Sequence, residues 1–274
     1  MQNRPVVRAA TFGFFIAKKW RGLTALAILA SAVAGCRREP APAVRQDRAQ
    51  VAEVAAPQYP ASAFPSPDRP VASIVSPKWD DEGARDRVRE ADTVMALLGI
   101  TSGMGVADIG AGSGYYSVRL SPRVGPAGRV YAEDIMPEYL RALEKRVATG
   151  KLSNVQTVLG KADHPRLPPA SIDRALLVHM YHEIQQPYAL MYNLFPSLRS
   201  GAMVGVVDVD RPTRSHGTPP AQLRCEMSAT GFRQIAFHAL RVGYLAVFTP
   251  VTRSAPDDVR KALARPGFKP DQCQ

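Results

Sequence analysis

The sequence contains little cysteine: 3 of its 274 residues, Cys36, Cys225 and Cys273. Three cysteines are too few for a disulfide framework, and their spacing matches no metal cluster. Cys225 and Cys273 could pair in an oxidising compartment. We favour the simpler interpretation, in which Cys225 is a small apolar residue of a helix and Cys273 belongs to a loose tail.

Long apolar runs are also scarce. The run LTALAILASAVAG, at 23–35, is shorter than the roughly 20 residues that a membrane-spanning helix requires. Basic residues precede it, as in a secretory signal. Its end, VAGC, resembles a bacterial lipobox, which implies that residues 1–35 are a lipoprotein-type signal peptide and that Cys36 is lipidated. A plain cleaved signal and an uncleaved inner-membrane anchor are the alternatives.

An excess of one charge is confined to the first part of the chain. Residues 1–78 carry 11 Lys and Arg against 4 Asp and Glu, whereas residues 79–274 carry 24 against 20. No basic stripe is interleaved with aromatic residues, so we expect no nucleic-acid partner.

Composition divides the rest of the chain into three parts. Residues 36–78 are rich in proline and alanine and poor in large aliphatic residues, which predicts a disordered linker. Residues 79–252 show regular apolar periodicity and form the expected domain, beginning with a helix at 79–100. Residues 253–274 are polar and contain proline, which is typical of a poorly ordered C-terminal tail.

Strand and helix patterns alternate through the domain. Apolar strand patterns occur at 105–110, 129–135, 155–160, 174–180, 202–210, 232–240 and 244–250. Helical patterns separate most of them. This alternation predicts an α/β fold with a doubly wound, mainly parallel seven-stranded sheet and helices on both faces.

The segment VADIGAGSGYY, at 106–116, identifies a candidate binding loop. Gly110, Gly112 and Gly114 follow the first strand, where such sheets bind ligands at the carboxyl ends of their strands. Asp134 ends the second strand, 20 residues after Gly114, and can accept hydrogen bonds from both ribose hydroxyls. An adenosine-bearing ligand is therefore expected.

The loop favours a cationic ligand over a dinucleotide. A dinucleotide fingerprint would place its third glycine at position 115, where this sequence has Tyr115. Asp108, just before the loop, suits a cation better than a pyrophosphate. S-adenosylmethionine, with its ammonium and sulfonium groups, is such a ligand.

These motifs resemble those of the class I S-adenosylmethionine-dependent methyltransferases, from about 79 to 250. The resemblance is carried by GMGVADIGAGSGYYSVRL, VGPAGRVYAEDIMPEYL, GKADHPRLPPASIDRALLVHMYHEI and LRSGAMVGVVDVD. It implies that residues 108–114 hold the methionine end, that Asp134 or its neighbour Glu133 binds the ribose, and that Asp163 faces the adenine. The cofactor-binding residues are then expected to be Asp108, Gly110, Ala111, Gly112, Gly114, Tyr115, Glu133, Asp134, Ala162, Asp163 and His179.

The segment HMYHE, 179–183, supplies the candidate catalytic residues. Tyr181 and His182 follow the fourth strand, and a histidine there could take a proton from an acceptor hydroxyl or amine. A metal is not expected, because the helical HExxH spacing is absent and HxxHE crosses from strand to loop.

The sequence therefore predicts an exported, lipid-anchored bacterial methyltransferase with S-adenosylmethionine as cofactor. Its acceptor is unidentified, with a small molecule favoured over a protein. The principal alternative is a lipoprotein that binds nucleosides without turnover. A nicotinamide oxidoreductase is disfavoured by the glycine spacing.

Overall fold

The computed structural model describes residues 59–74 and 82–265. The chain divides into two units, and all described residues lie in the second, Ala55–Gln274. The first unit, Met1–Val54, lies outside the described residues, as do the predicted signal peptide and Cys36. Within the described ranges, no helix is both long and apolar enough to cross a membrane.

Seven strands and seven α-helices follow one another along the described residues of this unit. The strands are β1 Gly105–Ile109, β2 Arg129–Asp134, β3 Val155–Leu159, β4 Ile172–Val178, β5 Leu198–Asp208, β6 Phe232–Ala239 and β7 Tyr244–Pro250. The helices are α1 Glu82–Arg87, α2 Glu90–Leu97, α3 Tyr115–Val124, α4 Pro137–Thr149, α5 Pro187–Leu194, α6 Pro220–Ala229 and α7 Pro256–Leu263.

The strands form one sheet in the order β3-β2-β1-β4-β5-β7-β6. All neighbouring pairs are parallel except those that β7 makes with β5 and β6. Chain order reverses between β1 and β4, which places a crevice at the carboxyl ends of these two strands. The predicted fold class is confirmed.

Alternate residues of the central strands enter two apolar cores. Ala107 and Ile109 of β1 face the cluster formed with α5 and α6, whereas Val106 packs with α2 and α3. Every residue of β1 is buried. This two-sided burial explains why the strand sequences are continuous apolar runs rather than alternating ones.

The leading segment differs from the single helix predicted at 79–100. Within the described part it is two helices, α1 and α2, interrupted where Arg89 adopts a left-handed conformation with φ 54°. The predicted apolar stripe is retained only in α2, where Ala91, Val94 and Met95 are buried. The break lets α1 change direction while α2 packs on the sheet.

Part of the predicted linker is folded onto the domain. Residues 59–74 include a 3-10 helix at Ala61–Ala63, and Phe64 is buried against Tyr188 and Tyr192. Arg69 forms a buried ion pair with Glu226 at 2.8 Å. The aromatic contacts of Phe64 and the ion pair of Arg69 offset the conformational entropy that this segment loses on folding. The composition of the segment gave no sign of these contacts.

The described part of the predicted C-terminal tail, residues 253–265, is also folded. It contains α7, whose Pro256 and Val259 are buried, the latter in the same cluster as Phe64. One apolar residue per turn in a short, charged helix gives little periodic signal, which is why the sequence indicated a tail. Domain limits of 79–252 are therefore too narrow on both sides.

Cys225 also differs from its favoured interpretation. It is fully buried in α6 and is disulfide-bonded. The other two cysteines of the chain lie outside the described residues.

Candidate functional site: a cavity at the carboxyl edge of the sheet

The glycine loop joins β1 to α3 through three left-handed backbone positions. Gly110, Gly112 and Gly114 have φ of 70°, 53° and 82°. A Cβ on Gly114 would lie 2.2 Å from a methyl carbon of Leu143 in α4, so this glycine serves packing against α4. Gly110 and Gly112 border the cavity.

Asp108 lies beneath this loop with 3% of its surface exposed. Its carboxylate accepts a hydrogen bond of 2.6 Å from the hydroxyl of Ser117 in α3. Burial raises the pKa of Asp108 to about 6, and the Ser117 hydrogen bond opposes that rise. The carboxylate is thus ionised at neutral pH and is available to a ligand cation.

Asp134, at the end of β2, connects the loop to the next turn. Its Oδ2 accepts a hydrogen bond from the backbone N–H of Gly112 at 2.8 Å, and its Oδ1 from that of Met136 at 2.9 Å. Burial raises its pKa, while these backbone donors lower it. Each carboxylate oxygen keeps a second lone pair, so both remain able to accept a ribose hydroxyl.

Glu133 projects to the opposite face of β2. Its Oε2 is 3.4 Å from the N–H of Gly110, and its buried Oε1 has no hydrogen-bond partner among the described residues. A Cβ on Gly160 would overlap this oxygen, so Glu133 fills the space that the glycine leaves. Burial, followed by the charge of Asp134, raises the pKa of Glu133 to about 8. Glu133 is therefore protonated at neutral pH.

A cavity opens above these groups at the carboxyl ends of β1, β2 and β4. Its walls come from the glycine loop, the turns after β2, β3 and β4, and the helix α1. The residues that line it are Ile74, Glu82, Arg85, Asp108, Ile109, Gly110, Ala111, Gly112, Ser113, Tyr115, Tyr116, Glu133, Asp134, Ile135, Met136, Tyr139, Lys161, Ala162, Val178, His179, Met180, Glu183, Ile184, Gln185 and Leu190.

A network of charged and aromatic groups closes the cavity on the side of α1 and α2. Glu90 is its centre and accepts hydrogen bonds from Arg85 at 2.5 Å and from the Tyr116 hydroxyl at 3.1 Å. His179 Nε2 lies 3.1 Å from the second Glu90 oxygen. Burial would raise the pKa of Glu90, but His179 and Arg85 lower it to about 2. The Arg85 guanidinium also stacks over the Tyr115 ring, 3.9 Å from its centroid.

Most of the predicted cofactor residues line this one cavity. They are Asp108, Gly110, Ala111, Gly112, Tyr115, Glu133, Asp134, Ala162 and His179. Gly114 lies behind them, against Leu143. Asp163 is not among the lining residues; its backbone carbonyl accepts a hydrogen bond from Asn193, and Lys161 and Ala162 occupy the cavity wall instead. The structure therefore does not bring Asp163 to the position that the resemblance implied.

The two predicted catalytic residues lie outside the cavity. Tyr181 is fully buried and donates a hydrogen bond of 3.0 Å to Glu226. His182 is 1% exposed, and its Nδ1 lies 3.0 Å from Asp208. The chain turns into a 3-10 helix at Tyr181–Glu183, and this turn directs both side chains toward β5 and α6. Neither lines the cavity, so the structure contradicts their predicted role.

Several residues that line the cavity belong to no sequence motif, and the sequence therefore did not predict them as site residues. Ile74 and Glu82 lie where the sequence suggested a linker or a solvated helix face, and Tyr139 and Glu183 are isolated positions in a helix and a turn. A motif with fixed spacing identifies the loop, but no spacing identifies a wall assembled from six separate segments.

Comparisons with known proteins agree with this arrangement. A family model described as a methyltransferase domain matches residues 106–201. Among curated proteins, a protein-L-isoaspartate O-methyltransferase from Methanothrix thermoacetophila is 29% identical over 42% of this chain and 53% of its own length. A demethylmenaquinone methyltransferase from Listeria monocytogenes is 21% identical over 50% of this chain and 60% of its own length. The chain thus spans little more than half of these relatives.

A solved structure shows the same fold. A SAM-dependent methyltransferase from Aquifex aeolicus superposes with a TM-score of 0.57 and 23% identity, covering 62% of this chain and 94% of that one. The chain therefore has the class I methyltransferase fold, and the matched residues 106–201 contain the glycine loop, the first four strands and the beginning of β5. The class that the sequence resembled is supported, and so is S-adenosylmethionine as its cofactor.

Proposed function

We propose that the chain is an S-adenosylmethionine-dependent methyltransferase that acts on a small molecule. The observation that carries this proposal is the convergence of Asp108, the glycine loop and Asp134 on one cavity at the point where strand order reverses. The family match over residues 106–201 supports the same activity.

Each cofactor group has a matching residue. The ionised Asp108 attracts the ammonium and sulfonium charges of the methionine end, while the backbone at Gly110 and Gly112 admits the ligand closely. Asp134 accepts the ribose hydroxyls with its remaining lone pairs. Binding in this orientation directs the methyl group toward the part of the cavity between the end of β4 and α1.

His179 takes the role that the sequence assigned to His182. It is the cavity-lining histidine, it follows β4 directly, and its ring is oriented by the carboxylate of Glu90 at 3.1 Å. Its backbone has φ 53°, a strained conformation that often marks functional sites. Methyl transfer needs alignment of the nucleophile with the donor and, for a hydroxyl or amine, removal of one proton. We assign that proton to His179.

The acceptor is proposed to be a small molecule with an apolar part. The cavity wall around the donor includes Ile74, Met180, Ile184 and Leu190, and α1 covers one side of it. The two curated relatives are named for different acceptors, one a protein residue and one a quinone precursor, so they favour neither by themselves.

We also propose that the protein is exported and lipid-anchored through Cys36. The basic, apolar and VAGC segments of residues 1–36 support this location. The disulfide at Cys225 supports export, because disulfides persist in oxidising compartments, but it does not bear on lipidation. A Cys36→Ser variant should lose lipid modification and its globomycin sensitivity. Unchanged processing would refute the anchor without affecting the proposed activity.

Calorimetry on the full-length protein tests the cofactor directly. S-adenosylmethionine and S-adenosylhomocysteine should bind with one site per chain, whereas NAD should give no heat. Formation of S-adenosylhomocysteine with extracts of small molecules then separates an enzyme from a binding protein. Absence of binding by either sulfur ligand would overturn the proposal, and binding without turnover would reduce it to a nucleoside-binding protein.

A further inference from the structure

A cluster of two histidines and a glutamate lies beside the cavity, apart from the residues proposed for methyl transfer. It consists of His182 and Glu183, in the 3-10 helix after β4, and His216, in the loop after β5. One potential ligand atom from each residue lies within 4.8 Å of the other two. We propose that this cluster is a site for a divalent transition metal, with Zn²⁺ as the ion that its ligands fit best.

Two buried nitrogen atoms in the cluster lack partners. His182 Nε2 and His216 Nδ1 are inaccessible to solvent and have no hydrogen-bond partner among the described residues. Buried polar atoms without partners are rare because each costs free energy. Here two of them belong to rings whose centroids are 5.4 Å apart. A shared ion would satisfy both.

The surroundings of His182 fix which of its nitrogens can bind an ion. Its Nδ1 lies 3.0 Å and 3.2 Å from the two oxygens of Asp208, a fully buried carboxylate. Asp208 in turn accepts hydrogen bonds from the Thr218 hydroxyl at 2.7 Å and from the Val209 N–H at 2.8 Å. With the Nδ1 proton directed at this carboxylate, the Nε2 lone pair faces Glu183, whose Oε1 is 4.0 Å away. Carboxylate–histidine–metal arrangements use this geometry to orient a ligand.

Two hydrogen bonds connect residues 59–74 to the loops that carry the cluster. Ala72 donates its N–H to the His182 carbonyl at 3.1 Å, and the Thr213 hydroxyl donates to the Pro70 carbonyl, so residues 59–74 fasten both loops. His216 itself has φ 55°, a left-handed conformation that directs its ring inward at the end of a 3-10 helix. A strained residue beside an unpartnered ring nitrogen is consistent with a constraint imposed by function.

The ligand set identifies the class of ion. Two imidazoles and one carboxylate form the usual three-ligand set of catalytic zinc sites, with bonds of about 2.0–2.2 Å and a fourth position open. Ligand atoms around such an ion lie about 3.3 Å apart by tetrahedral geometry. The ligand atoms of the cluster lie within 4.8 Å of one another, so an ion would draw them closer together. Glu183 also lines the cavity. A fourth position on such an ion would hold a water molecule, whose pKa the ion would lower.

The sequence predicted no metal, although His179, His182, Glu183, Asp208, Asp210 and His216 all follow strands at their carboxyl ends, because HExxH is absent and HxxHE crosses from strand to loop. In the structure His179 pairs with Glu90, and the third ligand is His216, 34 positions after His182. No local motif joins these residues; the packing of the two loops does.

Metal analysis of untagged full-length protein tests the site without reference to methyl transfer. After dialysis against Zn²⁺ and then buffer, the wild type should retain about one equivalent by mass spectrometry of the metal. His182→Gln, Glu183→Gln and His216→Gln should each retain less than a tenth of that amount. The matched control is His238→Gln, on β6, which should retain the full equivalent. Circular dichroism identifies any variant that fails to fold, and His216→Gln, which is only partly buried, keeps the test decisive in that case.

Cobalt substitution gives a second readout. Co²⁺ bound to two imidazoles and a carboxylate should produce the intense visible bands of a four-coordinate ion in the wild type and in His238→Gln, but not in the three cluster variants. Wild-type protein that retains no metal, or retention that is unchanged in the cluster variants, would overturn the inference. Because S-adenosylmethionine is absent from both experiments, either result leaves the proposed activity to be judged separately.

Discussion

Two parts of the sheet's carboxyl edge lie at or beside the cavity: the ends of β1 and β2, called here the β1–β2 edge, and the ends of β4 and β5, called the β4–β5 edge. The sequence predicted the site residues of the first better than those of the second. At the first edge, the glycine loop, Asp108 and Asp134 lie where the spacing predicted. At the second edge, Tyr181 and His182 turn away from the cavity, and His179 with Glu183 lines it. The difference shows that a site formed by backbone conformation is easier to predict from sequence than one that depends on the direction of side chains.

The largest expected effect tests the buried acid of the first edge. Glu133→Gln should raise the free energy of unfolding at pH 9 by up to about 5 kcal/mol, because the pKa of Glu133 is raised to about 8 from 4.5. The folded protein holds a proton that the unfolded chain releases between these values. Stability from this group is therefore full below pH 4.5 and declines as the pH rises to 8. Denaturant unfolding at pH 4 and pH 9 measures both limits.

Two comparisons make this result specific. Glu138→Gln, at an exposed glutamate of α4, should change the free energy of unfolding at pH 9 far less than Glu133→Gln does. Wild-type and Glu133→Gln curves that differ by the same amount at pH 4 and pH 9 would show that Glu133 is ionised in the folded protein.

The second prediction concerns the backbone of the glycine loop. Gly112→Val should weaken S-adenosylmethionine binding at least about 100-fold, because a β-branched residue is disfavoured at φ 53° and obstructs the approach of the ligand. Gly201→Val is the matched control, since Gly201 has φ 77° and open space where its Cβ would lie. Calorimetry should show near-normal affinity for the control. Equal losses in both variants would attribute the effect to backbone strain alone.

The fold and the loop were predictable because both depend on local rules. Left-handed glycines, a strand-ending carboxylate and apolar runs are all visible within about 30 residues. The walls of the cavity were not, because Ile74, Glu82 and Glu183 reach it only through tertiary packing. The sequence did not predict that segments 59–74 and 253–265 are folded, for a related reason. Each is held by a few long-range contacts, such as Arg69 with Glu226, that leave no periodic pattern.

The β4–β5 edge has its own test. Tyr181→Phe should lower the free energy of unfolding by about 2 kcal/mol, because the buried Oε2 of Glu226 loses the hydrogen bond from Tyr181, while Arg69 and Gln222 contact only Oε1. Affinity for S-adenosylmethionine and turnover should stay within twofold of the wild type. Tyr139→Phe, at a tyrosine that lines the cavity, should alter binding without a comparable loss of stability. A large loss of turnover in Tyr181→Phe would restore the catalytic role that the sequence suggested.

The smallest expected effect depends on the charge of Asp108, at the first edge. Its pKa of about 6 means that lowering the pH from 7.5 to 5 protonates the carboxylate that attracts the methionine end of the cofactor. If binding requires the ionised form, affinity falls by about tenfold at one pH unit below that pKa. Calorimetry across this range should show the decline in the wild type and in Asp163→Asn, an acid outside the cavity lining. Asp108→Asn should bind more weakly at pH 7.5 and lose the decline. Parallel profiles for wild type and Asp108→Asn would show that the pH dependence does not come from Asp108.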